Sequence, residues 1–420
     1  MAGLSDYDAV HRELWPAQRV HDETFREAPF LGLIRKREDF LEKTRHIALQ
    51  YGRPQGRSRT FATAKSRASA SRFADFEIKS ADDYGYGEIE GKLLESVRND
   101  PAALVDAMER ETRSALGTLK RSLHINAFGS GAGDRGSISS IAESGGNTTI
   151  TLSEPADAKN FEVDQYITAG ATLTGALRDS AAAYKVISVD LSGGTVKVSG
   201  TAATTSLWAA GDYLFSDGDA LNGGTITGLS VPMVAGLQGW IPATAPSSGD
   251  SWFGVDRSVD VVRLAGWRFT ASGLGGATTI RATLQRAAAA MSRAGLEMSP
   301  DIAVLNSEDY GDLLEEMDDK NTVVRESSDL KARIAYTGVE VHTAVGKLDV
   351  FADPQCPKGR AFILRADTWT LHSLGMAPKF IEHDGMRVLR TDTDAVEFRM
   401  VYRAQLACDA PAYNATVSLP

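Results

Sequence analysis

The sequence predicts an α+β protein in which one long helix, a charged β-hairpin and a small all-β module are set into a mixed α/β body. Three observations predict it. Apolar residues recur at helical spacing from Pro101 to Phe128. Short alternating strands crowd into Thr148 to Phe215. After Asp256, strand and helix patterns alternate and close on the alternating run Val396 to Arg403. With 420 residues, 43% hydrophobic and 24% charged, the chain can build a core and divides into several domains.

From the beginning, the first 50 or so residues are polar and mixed, with Leu14, Trp15, Phe25 and Phe30 as scattered anchors. They read as an arm that lies on something else, with a short helix over Phe40 to Gln50. A basic segment follows from Arg35 to Arg72 and includes Arg53, Arg57, Arg59, Lys65, Arg67 and Arg72. It gives way to an acidic one with Asp75, Glu77, Asp82, Asp83, Glu88 and Glu90. The alternation Phe73-Ala74-Asp75-Phe76-Glu77-Ile78 is strand-like. The segment is predicted to be a long hairpin with one basic and one acidic limb, resting on a neighbour, because a lone two-stranded hairpin is marginal in water.

Asp100 and Pro101 open the long helix, Asp as N-cap and Pro where its missing N–H costs nothing. Leu104, Met108, Ala115, Leu116, Leu119 and Leu123 form its apolar stripe. Acids early (Asp106, Glu109, Glu111) and bases late (Lys120, Arg121, His124) suit the macrodipole. At ~1.5 Å per residue it spans roughly 40 Å and would act as a strut. The glycine-rich stretch Gly129 to Gly136 breaks it. The β module that follows has strands near 149–152, 166–168, 184–189, 195–199 and 213–215, and reads as a barrel or a sandwich.

The stretch from Leu221 to Asp256 is loop-rich, pinned by Trp240 and Trp252. Thr279 to Ala294 is an amphipathic helix closed by Gly295, Ile302 to Leu305 a strand, and Ser307 the cap of a helix to Met317. Further strands are expected at 339–342, 348–351, 361–364, 369–372 and 396–403.

Charge and chemistry exclude several functions. The net charge of −10 argues against a basic nucleic-acid wrapper. Cys356 and Cys408 lie far apart, so neither a disulfide framework nor a cysteine metal site is expected. The N-terminal residues lack the apolar core of a signal peptide, and no apolar run reaches the ~20 residues of a membrane span. Gly129-Ser130-Gly131-Ala132-Gly133 follows a helix, whereas a phosphate cradle precedes one. Gly85 to Lys92 imitates a phosphate loop but carries Glu88 and Glu90, which repel phosphate, and Leu93 where a hydroxyl is needed. His383-Asp384 before Gly385 reads as a polar turn, and Glu315-Glu316 with Asp318-Asp319 as a solvated face. No nucleophile elbow is present. Neither catalytic, cofactor-binding nor metal-binding residues are expected.

The order of parts is what resembles a known family. A polar arm, a charged hairpin, a long helix opened by Asp100-Pro101, then α/β segments and a late strand resemble the major capsid proteins of tailed bacteriophages, with the HK97-type fold. Tyr84 to Phe128 looks like that family's hairpin-to-spine junction. Val255-Asp256-Arg257-Ser258 with Leu264-Ala265-Gly266, and Ser299-Pro300-Asp301-Ile302 onward to Asp319, look like its axial-domain segments. The resemblance implies an N-terminal arm (1–50), an extended hairpin or E-loop (51–99) and a peripheral domain (100–140 and 345–395) around the spine helix 101–128. It further implies a β-rich insertion (141–220) and an axial domain (221–344 and 396–420).

It also implies a non-enzymatic function. Copies would assemble into hexamers and pentamers of an icosahedral head in the host cytoplasm, enclosing double-stranded DNA without sequence-specific contact. The implied partners are other copies of the chain, a separate scaffolding protein, a portal and decoration proteins, with no membrane and no cofactor. The twelve charged residues from Arg53 to Glu90 named above are the candidate assembly contacts, since like subunits can pair a basic limb on an acidic one. An encapsulin-like compartment shell, or an unrecognised α/β enzyme, are the alternative readings.

Overall fold

The computed structural model describes residues 4–26, 28–40, 44–90, 92, 101–200, 207–221, 231–249, 251–294, 299–318, 338–390 and 395–420. Asp100, Gly295 and Asp319 lie outside them.

The spine is a single helix, Pro101–Phe128. Met108, Thr112, Leu116, Leu119, Leu123 and Ala127 are its buried stripe, spaced three and four apart. No acid lies in its first turn and no base in its last, so the expected macrodipole match is absent; that effect fades beyond a terminal turn. The acids do other work. Glu109 receives Arg19 at 2.7 Å and Arg113 at 2.9 Å, tying the N-terminal segment to the spine.

That segment is not an arm lying elsewhere. It folds into helices Leu4–Leu14, Ala17–Arg26 and Pro29–Leu33 on the body of its own chain. Trp15, Val20, Phe25 and Phe30 are buried there. His11 is buried edge-on to Phe380, with ring centroids 4.7 Å apart, and its Nε2 lies 3.2 Å from the Thr112 hydroxyl. Burial and the nearby Arg387 hold its imidazole at about 4.

The spine packs on a sheet built around the long strand Ala395–Cys408. Strand Ala81–Glu90 pairs antiparallel along one side of it, Ala81 opposite Ala404 and Glu90 opposite Ala395. Strands Trp369–Ser373, Lys379–Phe380 and Val388–Arg390 pair antiparallel along its other side, and Arg35–Arg37 extends the sheet beside Trp369–Ser373. Gly87 sits opposite Phe398, and a Cβ there would fall 2.1 Å from the Phe398 ring. The glycine lets that ring lie flat on the strand.

A second six-stranded sheet runs in the order Trp267–Thr270, Ala415–Ser418, Arg360–Leu364, Ile302–Leu305, Gly346–Ala352, Val339–Thr343. Both faces are covered. Ile302 and Val304 join the spine core, while Ala303 and Leu305 face helices Ile280–Met291 and Ser307–Asp318. This pairing differs from the expected division at two places. Residues 346–352 and 360–364 belong to the sheet of 302–305, and 395–408 belongs to the spine sheet. Partner choice between distant strands is a tertiary matter that local pattern does not carry.

The helix from Ser307 is capped by Asn306, whose Oδ1 accepts the Glu308 N–H at 3.0 Å. Glu316 is not merely solvated: its carboxylate accepts the N–H groups of Ile280 and Arg281 at 2.7 and 3.1 Å. It thereby neutralises the N-terminus of the neighbouring helix.

The inserted module is a closed six-stranded barrel, with strands Asp134–Ser144, Asn147–Leu152, Tyr166–Gly170, Tyr184–Asp190, Thr195–Ser199 and Tyr213–Ser216. It has its own core of Ile138, Ile150, Ile167, Val186, Val196, Val198, Trp208 and Leu214. Its first strand begins at Asp134, inside the stretch expected to be a break.

Candidate assembly surfaces

The hairpin is shorter than the sequence suggests. Strand Thr44–Gly52 pairs with Arg72–Lys79, Ile47 opposite Phe76 and Leu49 opposite Ala74. The region Phe40 to Gln50, expected to be helical, is largely strand. A break at Ser80 ends the hairpin, and Ala81–Glu90 leaves it for the spine sheet. The acidic limb is therefore two structures.

The base of the hairpin is docked. Ala74, Phe76 and Ile78 face inward and are buried. The Phe76 ring lies 5.3 Å from that of Trp240, which stacks on Phe253 at 5.5 Å and meets Trp252 edge-on. Trp240 donates its indole N–H to the Leu406 carbonyl at 2.9 Å, fixing this aromatic platform to the long strand. The Glu77 N–H donates to the Phe253 carbonyl at 2.9 Å, and Arg263 donates to the Tyr51 carbonyl at 2.8 Å.

Beyond the base the hairpin is on its own. Residues 53–70 are exposed except Ala64. They hold Arg53, Arg57, Arg59, Lys65 and Arg67 without a single acid, and Arg72 opens the returning strand. Among the described residues none of these six forms an ion pair. A one-turn-and-a-half helix, Phe61–Ser66, caps the tip and presents Phe61 at 83% exposed. Sequence reasoning named the cations and passed over Phe61, although an aromatic alone in a basic, small-residue stretch was the available signal.

The acidic candidates are dispersed. Asp75 holds His46 at 2.8 Å across the hairpin. Glu77 stays half-buried beside the platform. Asp82 faces Arg403 at 3.7 Å, and Glu88 accepts the Tyr86 hydroxyl at 2.9 Å. Burial, then Glu88 and Glu397, push that phenol up to about 12. Asp82, Tyr84, Tyr86 and Glu88 form one exposed stripe, while Asp83 turns inward toward Ser122. Burial raises the Asp83 carboxyl above its ordinary range. Glu90 ends the strand opposite Ala395.

The stretch Gly85 to Glu90 is strand rather than loop. His383 and Met386 bridge a tight turn over Asp384 and Gly385. Among the described residues no three His, Cys, Asp or Glu groups converge as metal ligands, and no helix is long and apolar enough to cross a membrane. Cys356 and Cys408 are buried, and burial pushes both thiols up.

No protein-family model matches the chain, and no curated protein sequence does. Solved structures do. The chain is similar to a protein of the cyanophage A-1(L) capsid asymmetric unit, with TM-score 0.53 and 12% identity over 93% of this chain and 92% of that one. Looser likenesses reach the capsid of the native GTA particle (TM-score 0.45, 11% identity, 94% and 91% covered) and the holo-SrpI encapsulin complex of Synechococcus elongatus PCC 7942 (TM-score 0.41, 7% identity, 97% and 88% covered). The first of these likenesses shows a shared fold, HK97-like, with spine helix and hairpin. The inserted barrel is seated between the spine and the second sheet.

Proposed function

We propose that this chain is the major capsid subunit of a tailed phage, a shell tile whose copies assemble into hexamers and pentamers around packaged DNA. The observation that carries the reading is the capsid-protein fold, matched over nine-tenths of both chains. The hairpin adds support. Its base is fixed by Phe76 on Trp240, and its tip offers five unpaired cations to another surface, an arrangement made for a neighbour rather than for its own body.

The tip cations Arg53, Arg57, Arg59, Lys65 and Arg67 serve as contacts to an adjacent copy. Asp82 and Glu88, on the exposed stripe, are acceptors on that copy. Asp75 already holds His46 across the hairpin and contributes less. The subunit is not an enzyme; its residues hold a lattice, and DNA fills the shell without being read. Spine, hairpin and first sheet make the peripheral part, and the second sheet with its two helices the axial part. A separate scaffolding protein, a portal and decoration proteins complete the particle, which assembles in the host cytoplasm. Expression of the full chain, with its scaffold where one exists, should yield closed shells tens of nanometres wide in negative-stain micrographs. Monomers alone under both conditions refute the reading.

A further inference from the structure

Phe61 is the least sheltered large apolar side chain in the protein's described residues, and cations surround it in sequence. An apolar ring held in water gains free energy from any dry seat it can reach. Its surroundings require that seat to have an acidic rim. A cleft beside the spine helix has this chemistry. It measures about 580 Å³ and opens between the spine helix and the inserted barrel.

Its mouth carries three part-exposed apolar groups: Tyr84 on the strand beside the spine, and Val163 and Tyr166 on the barrel, at 60%, 55% and 51% exposure. Five carboxylates line the cleft against two guanidinium groups. Those two are already engaged, Arg121 by Glu162 and Arg135 by Asp219. Asp83 and Asp217, also in the lining, form no salt bridge among the described residues, although the charge of Arg135 reaches Asp83. The cleft thus combines apolar walls with surplus negative charge, and the tip combines an apolar knob with positive charge only.

We propose that the cleft is the socket for the hairpin tip of a second copy of this chain, with Phe61 between Val163 and Tyr166 and tip cations beside Asp83 and Asp217. The inserted barrel is then half of an inter-subunit joint: it supplies Val163 and Tyr166, and the spine side supplies Tyr84 and Asp83. The inference rests on the shell reading and narrows it, because a neighbour's tip could otherwise lie on any acidic face, including the stripe of Asp82 and Glu88.

The test is a disulfide trap in the full-length chain. Cys356 and Cys408 are buried and do not compete. Phe61→Cys with Val163→Cys, oxidised mildly in assembled particles, should give covalent multimers on a non-reducing gel that revert to single chains with reductant. Phe61→Cys with Leu314→Cys, which places the second thiol on the helix Ser307–Asp318, should give at least tenfold less. Should the first pair fail to fold, Phe61→Cys with Tyr166→Cys asks the same question. Particles that form without multimers, or that link equally through Leu314→Cys, overturn the socket and leave the shell reading intact. Absence of particles from the unmodified chain, both with and without a scaffold, overturns both.

Discussion

Phe76→Ala should release the hairpin while leaving the body folded. Phe76 is fully buried between the hairpin and Trp240, and deleting such a ring costs about 3–5 kcal/mol, combining lost transfer energy with a residual cavity. The cost falls on a weak element. The hairpin is two-stranded, marginal without support, and Ala74 and Ile78 are the other buried side chains of its returning strand. The spine core, by contrast, draws on Trp369, Phe398, Tyr402 and many others. Local opening should therefore absorb the loss before global unfolding does. At about 1.4 kcal/mol per tenfold, amide protection in 44–52 and 72–79 should fall by roughly two to nearly four decades, limited by the protection the wild-type hairpin has. Hydrogen exchange resolved by peptide is the assay. Unchanged protection in the hairpin, or an equal drop throughout the spine sheet, would refute the view that the aromatic platform holds the hairpin as a separable unit.

Other consequences can be checked alongside. Arg57→Glu with Arg59→Glu should reduce shell yield sharply while thermal unfolding of the free subunit stays within about 0.5 kcal/mol of wild type, since the tip is exposed; unimpaired assembly at physiological salt contradicts the proposed role. Gly87→Ala should destabilise by about 1–3 kcal/mol, because the Phe398 ring it meets is hemmed in by His11 and Phe380; an unshifted denaturation midpoint counts against it. Burial, opposed by Lys159 and reinforced by Glu154 and Asp134, raises the Asp157 carboxyl to about 7. A folded value above the unfolded one means stability declines as pH rises from the ordinary carboxylate range to about 7 and levels off above it. Asp157→Asn should flatten that part of the profile, and parallel melting curves for the two proteins at pH 5 and pH 8 would contradict this. Replacing residues 134–216 with a short glycine linker should leave the spine sheet folded, because the barrel closes on its own core; global unfolding would show that it is not autonomous.

The spine helix was legible because its stripe and the proline at its start are local signals. The barrel strands were legible through period-two alternation at Tyr184 to Val189 and Thr195 to Ser199. Asp134–Ser144 escaped because glycines at 129, 131, 133 and 136 mask its beginning. Thr44–Gly52 was read partly as helix although Ile47, Leu49 and Tyr51 alternate. Its Arg- and Ala-bearing flanks suit a helix, and only pairing with Arg72–Lys79 decides the matter. The N-terminal helices bury few side chains each, so their pattern is thin until the spine supplies a surface. The acidic limb is the instructive case. Nothing local tells whether Ala81–Glu90 continues the hairpin or joins a strand more than three hundred residues further on. That choice fixes which carboxylates face solvent, and so which of the twelve charged candidates remain available to a partner. The cations stayed together at one exposed tip; the acids did not.

The central claim is that this fold tiles a shell through its hairpin. Cryo-electron microscopy of the expressed full-length chain tests it most directly. The account predicts closed particles in which the tip of each copy, residues 53–70, is buried against an adjacent copy. Particles whose tips project free into solvent would contradict the role given to the hairpin, and a chain that stays monomeric with and without a scaffold would contradict the claim itself.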